Sequence, residues 1–179
     1  MIQHSSLVLQ FDEALHSQLE DRVLSVEKNN DRRVRLQEDR SLIQNLSSGE
    51  EIVKYIRQKH EGLADPDLFR KVLSMQEEAC PAIVKRYVTT GQDEYVDASF
   101  RILAKADSQY TDQLYEAYSD IRNPYAQATA CLLFGEHSMK KAIPLLMEEY
   151  ERFVRVFPNE SFNESPLFSL YLICGQEIL

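Results

Sequence analysis

The sequence has no tryptophan, five glycines, six prolines and three cysteines in 179 residues. So few breakers exclude collagen-like and Gly/Pro-rich disordered chains, and with 44% hydrophobic and 27% charged residues the composition is that of a globular protein. Cys80, Cys131 and Cys174 are odd in number and far apart, with no C-x-x-C pair, which argues against a zinc site and against a disulfide framework. The longest late apolar run, Leu167 to Cys174, falls well short of the roughly 20 residues that cross a bilayer. The opening stretch "MIQHSSLVLQFDE" lacks the basic start and apolar core of a signal peptide. The expected setting is therefore a reducing cytoplasm, with no membrane contact.

Basic residues are also in short supply. The formal net charge is −9. Residues 1–64 hold 9 Lys/Arg against 11 Asp/Glu, and residues 65–179 hold 11 against 18, or −2 and −7. A surface of that sign repels phosphate backbones, so no nucleic-acid partner is expected. Arg32, Arg33, Arg35 and Arg40 are interleaved with Glu27, Asp31, Glu38 and Asp39, a mixture that favours ion pairs along a helix over a phosphate-binding patch.

Apolar residues recur at spacings of three and four, and alternating runs are rare, which predicts an all-α chain. The clearest stretch is "NPYAQATACLLFGEHSMKKAIPLLMEEYERF", Asn123 to Phe153. Asn123 and Pro124 start a helix, Gly135 is expected to end it, and a second helix begins near Lys140 with Pro144 in its first turn. On that second helix Leu145, Leu146, Tyr150, Phe153 and Val154 are expected on one face, with Glu148, Glu149, Glu151 and Arg152 on the other.

The pattern recurs. A shift of 30 lays Tyr95, Ala98, Ile102 and Leu103 on Tyr125, Ala128, Leu132 and Leu133; a shift of 32 lays Leu114, Tyr118 and Ile121 on Leu146, Tyr150 and Phe153. A further 30 reaches Leu68, Val72, Leu73, Val84 and Val88. Helix pairs repeating at this interval must stack to bury their apolar faces, with Pro81 and Pro144 expected at the starts of second helices. Ala126, Ala128, Ala130, Leu133, Gly135, Ala142, Ile143, Pro144 and Leu146 give this stretch its resemblance to a short bacterial HEAT-like repeat. Phe134 ahead of Gly135 departs from that pattern, as does Lys105-Ala106-Asp107 in the preceding unit. The resemblance covers about residues 65–179 and implies an α-α superhelix of HEAT-like helix pairs, without implying an activity.

The expected organisation is an N-terminal helical cap, 1–64, followed by HEAT-like units near 67–90, 95–121 and 124–157 and a half-unit at 166–179, in one continuous fold. In the cap, Leu7, Phe11, Leu15, Leu19, Val23 and Val26 form an apolar stripe, a charged helix follows from Asp31, and Ser47 or Ser48 caps a third helix. Gly62 and "ADPD" mark the boundary. Incomplete cover at the two ends makes a homo-oligomer through the terminal helices a further expectation.

Candidate chemistry is sparse. Glu13 and His16 have di-iron spacing but no second such motif faces them, so neither metal nor cofactor is expected. There is no G-x-S-x-G, no Gly-rich phosphate loop and no Cys near a His in sequence, so no catalytic residue is assigned. The expected site lies on the second helices, on the face turned from the core: Asp112, Tyr115, Glu116, Ser119, Glu148, Glu149, Glu151 and Arg152, with Lys85 and Arg86 on the same side. Carboxylates beside an aromatic make a groove for a basic peptide or protein segment. The expected function is a non-enzymatic binding scaffold. The alternative implied by the resemblance, a DNA glycosylase or lyase on a HEAT-like scaffold, calls for a basic aromatic channel, which this acidic chain without tryptophan opposes.

Overall fold

A computed structural model describes residues 30–58 and 65–175. The stripe from Leu7 to Val26, Glu13 and His16, the boundary glycine Gly62, and residues 176–179 of the half-unit lie outside the described residues.

The described residues form nine α-helices and no strand. They are α1 (Asn30–Asn45), α2 (Gly49–Gln58), α3 (Asp65–Ser74), α4 (Gln76–Thr89), α5 (Asp93–Leu103), α6 (Ser108–Glu116), α7 (Pro124–Glu136), α8 (Ile143–Val156) and α9 (Glu164–Cys174), with single 3-10 turns at Tyr118–Asp120, Lys140–Ala142 and Ser161–Asn163. None of them is long and apolar enough to cross a membrane.

Local chemistry sets several starts. Ser48 Oγ accepts from the Glu51 N–H at 3.2 Å, while the Glu51 carboxylate accepts from both the N–H and the hydroxyl of Ser47. Free donors ahead of α2 are thereby satisfied, and the same hydrogen bonds hold the Glu51 carboxyl below its ordinary value. Asn123 accepts from the Tyr125 N–H at 2.9 Å, and Pro124 takes the first position of α7, where no N–H is needed.

Two expectations about breakers are corrected. Pro81 lies inside α4 rather than at its start, because the helix already begins at Gln76. Gly135 lies inside the last turn of α7 and does not end it. The chain leaves that helix at His137 and Ser138, and Ser138 is the residue that turns left-handed, at φ 50°. What Gly135 provides is closeness: a Cβ there would fall 2.6 Å from Ser169 Oγ and 2.8 Å from Ser169 Cα. Gly49 does the same at the other end, where a Cβ would meet the Glu78 carbonyl at 2.7 Å and Ala82 Cβ at 2.9 Å.

These approaches belong to a wider arrangement in which helices two apart in the chain touch. α1, α3, α5, α7 and α9 form one series of neighbours, and α2, α4 and α6 form another. Polar ties cross from helix to helix at similar intervals. Arg40 donates to Asp67 and Lys71 to the Gln44 carbonyl, both at a separation of 27. Asn123 donates to Asp93 at 30, and Tyr125 to Asp97 at 28. Paired ties in the same order on both helices mean that α1 and α3, and α5 and α7, run parallel. α7 is apolar on all sides, as a helix covered all round must be.

Apolar side chains between the two series form one core, including Ile52, Ile83, Leu103, Leu114, Phe134 and Leu146. Tyrosines reach across it. Tyr87 donates to the Ala126 carbonyl at 2.8 Å from full burial, and buried Tyr118 lies 3.6 Å from Cys131 Sγ. Tyr150, matched to Tyr118 by the sequence shift, is only half-buried, and Val154 is exposed. Cys80 and Cys131 are buried thiols, both raised to about 12 chiefly by desolvation.

Two outcomes test this packing. Gly135→Ala gains about 1 kcal/mol of helix propensity but overpacks the α7–α9 contact by about 1–3 kcal/mol or more. Its melting temperature should fall, whereas Gly91→Ala, with open space around it, should be neutral or gain about 0.5 kcal/mol. Burial also raises the Tyr87, Tyr95 and Tyr118 phenols above their ordinary value of 10. Unfolded phenols lose protons first, so stability should hold below pH 10 and fall as pH climbs toward the raised folded values. Phenolate absorbance should then rise together with loss of helical circular dichroism.

Candidate functional site

Asp112, Tyr115 and Glu116 occupy one side of α6, spaced so that all three reach the same volume in front of the helix. A cation already sits in that volume. Lys141 Nζ, from the 3-10 turn before α8, is 2.9 Å from Asp112 Oδ1, 3.5 Å from Glu116 Oε1 and 4.8 Å above the Tyr115 ring. The Tyr115 hydroxyl donates to the Lys141 carbonyl at 3.3 Å, and its ring meets Phe134 edge-on at 5.5 Å. Tyr115 is therefore fixed from both ends, with one face left for the ammonium. Hydrogen bonding to Asp112 is the main cause raising the Lys141 pKa. The arrangement can hold a primary ammonium or a guanidinium between two carboxylates and a ring.

The remaining expected residues divide. Ser119, in the 3-10 turn after α6, and Glu148 and Glu151 on α8 are exposed. Glu149 and Arg152 are not free surface groups. Glu149 is 8% exposed, and Arg152 Nε donates to both of its carboxylate oxygens at 2.9 Å, with the terminal nitrogen bonded to it as well. The same guanidinium donates to Gln127 Oε1 at 2.8 Å, and Gln127 donates to the Ile121 carbonyl. This chain fastens α8 to α7 and to the end of the 3-10 turn. Glu149 is turned inward because Arg152 neutralises it there, so it belongs to the packing and leaves the open acidic face to Asp112, Glu116, Glu148 and Glu151.

Sequence reasoning missed Lys141, read only as part of the start of the second helix, and Phe134, read only as a departure from the repeat. The signal for Lys141 was a cation placed immediately before the proline-opened helix. Its partners on α6 are 25 or more residues earlier, beyond any local pattern.

A second concave feature lies between α7 and α9. It is a cleft of about 560 Å³ lined by Leu132, Glu164, Ser165, Leu167, Phe168 and Tyr171. Leu167 is 51% and Tyr171 70% exposed, so α9 presents to solvent an apolar side where the equally apolar α7 is covered. Among the described residues, no group of three or more His, Cys, Asp and Glu is placed to hold a metal ion. The chain matches no family model, no curated protein and no solved structure.

The two roles assigned to glutamates of α8 separate in a stability measurement. Glu149→Gln should lower the urea-unfolding free energy by about 2 kcal/mol, since it strips the charge from Arg152's partner in a mostly buried pair. Glu148→Gln, on the exposed face, should stay within about 0.5 kcal/mol of the parent.

Proposed function

We propose that the chain is a non-enzymatic protein-binding scaffold, an α-α superhelix of HEAT-like helix pairs whose acidic, tyrosine-bearing face takes a basic segment of a partner protein. The observation that carries this reading is the capture of Lys141 by Asp112, Glu116 and the Tyr115 ring. A face that holds its own lysine in this way has the chemistry to hold another chain's lysine or arginine, by exchange at Tyr115 or beside it at Glu148 and Glu151. The repeat side of the reading is supported by the near-constant interval of the interhelix ties, 27 between α1 and α3 and 28–30 between α5 and α7. Stacked helix pairs present their second helices along one side, which suits an extended partner.

The test uses a fluorescent lysine-rich peptide and an equally long glutamate-rich control, titrated at low and moderate salt. The expected result is saturable binding of the basic peptide alone, weakened by salt and by at least about tenfold in Asp112→Lys with Glu116→Lys. Lys141→Ala, which empties the cradle, should tighten binding. Equal binding by the charge-reversed variant, or none by the well-folded parent, would refute the scaffold reading.

A further inference from the structure

Helix α9 has the composition of a covered helix in an uncovered place. Its sequence, ESPLFSLYLIC, holds one charged residue, Glu164, and neither Lys nor Arg. The helix packs on α7 and α8 and buries Pro166, Ser169 and Ile173, while Glu164, Leu167, Tyr171 and Cys174 on its other side are exposed. An apolar stripe left in water on a helix of this composition marks a contact surface.

The stripe is firm as well as apolar. The Tyr171 ring lies against Phe168, with centroids 6.4 Å apart, and over Gly175, where a Cβ would stand 3.7 Å from it. A ring supported along its length in this way has little freedom left to lose when a partner lands on it. Beside it the cleft of about 560 Å³ reaches Leu132 on α7, so one face carries both exposed large side chains and a hollow.

Charge and spacing together say what fits there. Residues 65–179 carry a net −7, so two copies of the chain repel over most of that surface and can approach where charge is absent. α9 offers no cation to recruit an acidic partner and a single carboxylate to recruit a basic one. Its exposed residues Glu164, Leu167, Tyr171 and Cys174 are three, four and three positions apart, a spacing that reads the same in both directions. In an antiparallel pair, about a two-fold axis level with Ser169, Leu167 of each copy meets Tyr171 of the other. Each Glu164 then meets the small Cys174, and the two carboxylates stand at opposite ends of the contact.

We propose that α9 is a self-association face, through which two copies of the chain pair antiparallel as a two-fold dimer. A helix of 11 residues is about 16 Å long, so the contact belongs with the small, transient interfaces that bury less than about 1,200 Å². The dimer is accordingly weak, with a dissociation constant on the order of 10–100 μM. Asp112, Tyr115 and Glu116 take no part in it, and it does not depend on the scaffold reading.

The experiment is sedimentation velocity of the full chain at concentrations from well below to well above that value. The expected result is a sedimentation coefficient that rises from monomer to dimer and stops there. Tyr171→Asp, at an exposed position, should weaken association at least about tenfold with circular dichroism unchanged. Orientation has its own readout, because Cys80 and Cys131 are buried and Cys174 is exposed. Under mild oxidation Glu164→Cys should give dimers linked from position 164 to Cys174, identified by peptide mass, while Cys174 of the parent does not link to itself. A monomer at every concentration, growth past two copies, unaltered association in a folded Tyr171→Asp, or self-linking of Cys174 overturns the proposal. So does a dimer lost in Phe11→Asp but kept in Tyr171→Asp, which would assign the contact to the N-terminal stripe instead. Should Tyr171→Asp not fold, Leu167→Glu and the cross-link decide.

Discussion

Helix α9 reaches the backbone of α7 only because Gly135 carries no side chain, and α2 reaches α4 only because Gly49 carries none. At both contacts a Cβ would stand under 3 Å from a neighbouring backbone atom. Helices that approach this closely exclude water along the seam, and the groups left there must find partners within the protein. The polar ties answer that demand: Ser169 Oγ donates to the Cys131 carbonyl at 2.8 Å, and the Glu78 carboxylate accepts the Gly49 N–H.

The same constraint explains the unusual use of tyrosine. Tyr87 and Tyr95 are large enough to fill the space between layers, and each carries a hydroxyl that can donate to a main-chain carbonyl. Tyr118 lies against a thiol in the same interior, near the Glu149 carboxylate. The Glu149–Arg152–Gln127 chain is the charged counterpart of these ties. A carboxylate inside such a core is tolerated because a guanidinium saturates both of its oxygens, and its role is thereby tied to packing.

Charge on the second helices follows the local register as well as the helix dipoles. At α6, Asp112 and Glu116 lie at the C-terminal half, where a carboxylate is unfavourable beside the dipole, and Lys141 from the next unit offsets both. Near the C-terminal ends of α2 and α4 stand Arg57, which bonds to the Gln92 amide, and Arg86, whose Nε is closed off from solvent.

Much of the helical pattern was legible in the residues alone. The Asn123-Pro124 start, the serine-glutamate cap ahead of α2 and the recurrence near 30 residues rest on local chemistry and periodicity, which act within a turn or two. The misreadings of Gly135, Pro81 and Glu149 share a source, in that each residue type has a frequent local role, as helix terminator, helix opener or solvated carboxylate, but their outcomes differ: Gly135 admits α9, Pro81 falls inside a helix that opens earlier at Gln76, and Glu149 is held inward by Arg152 one turn along α8. A glycine that ends a helix and a glycine that admits one look alike in sequence. So the sequence by itself determined an all-helical chain with apolar faces that must stack and a surplus of negative charge. The tertiary structure decided which distant side chains meet: Lys141 with Asp112 and Tyr115, Arg152 with Gln127, Arg57 with Gln92. Those pairings depend on the offset between neighbouring helices, and that offset is set by backbone approach distances across residues far apart in the chain.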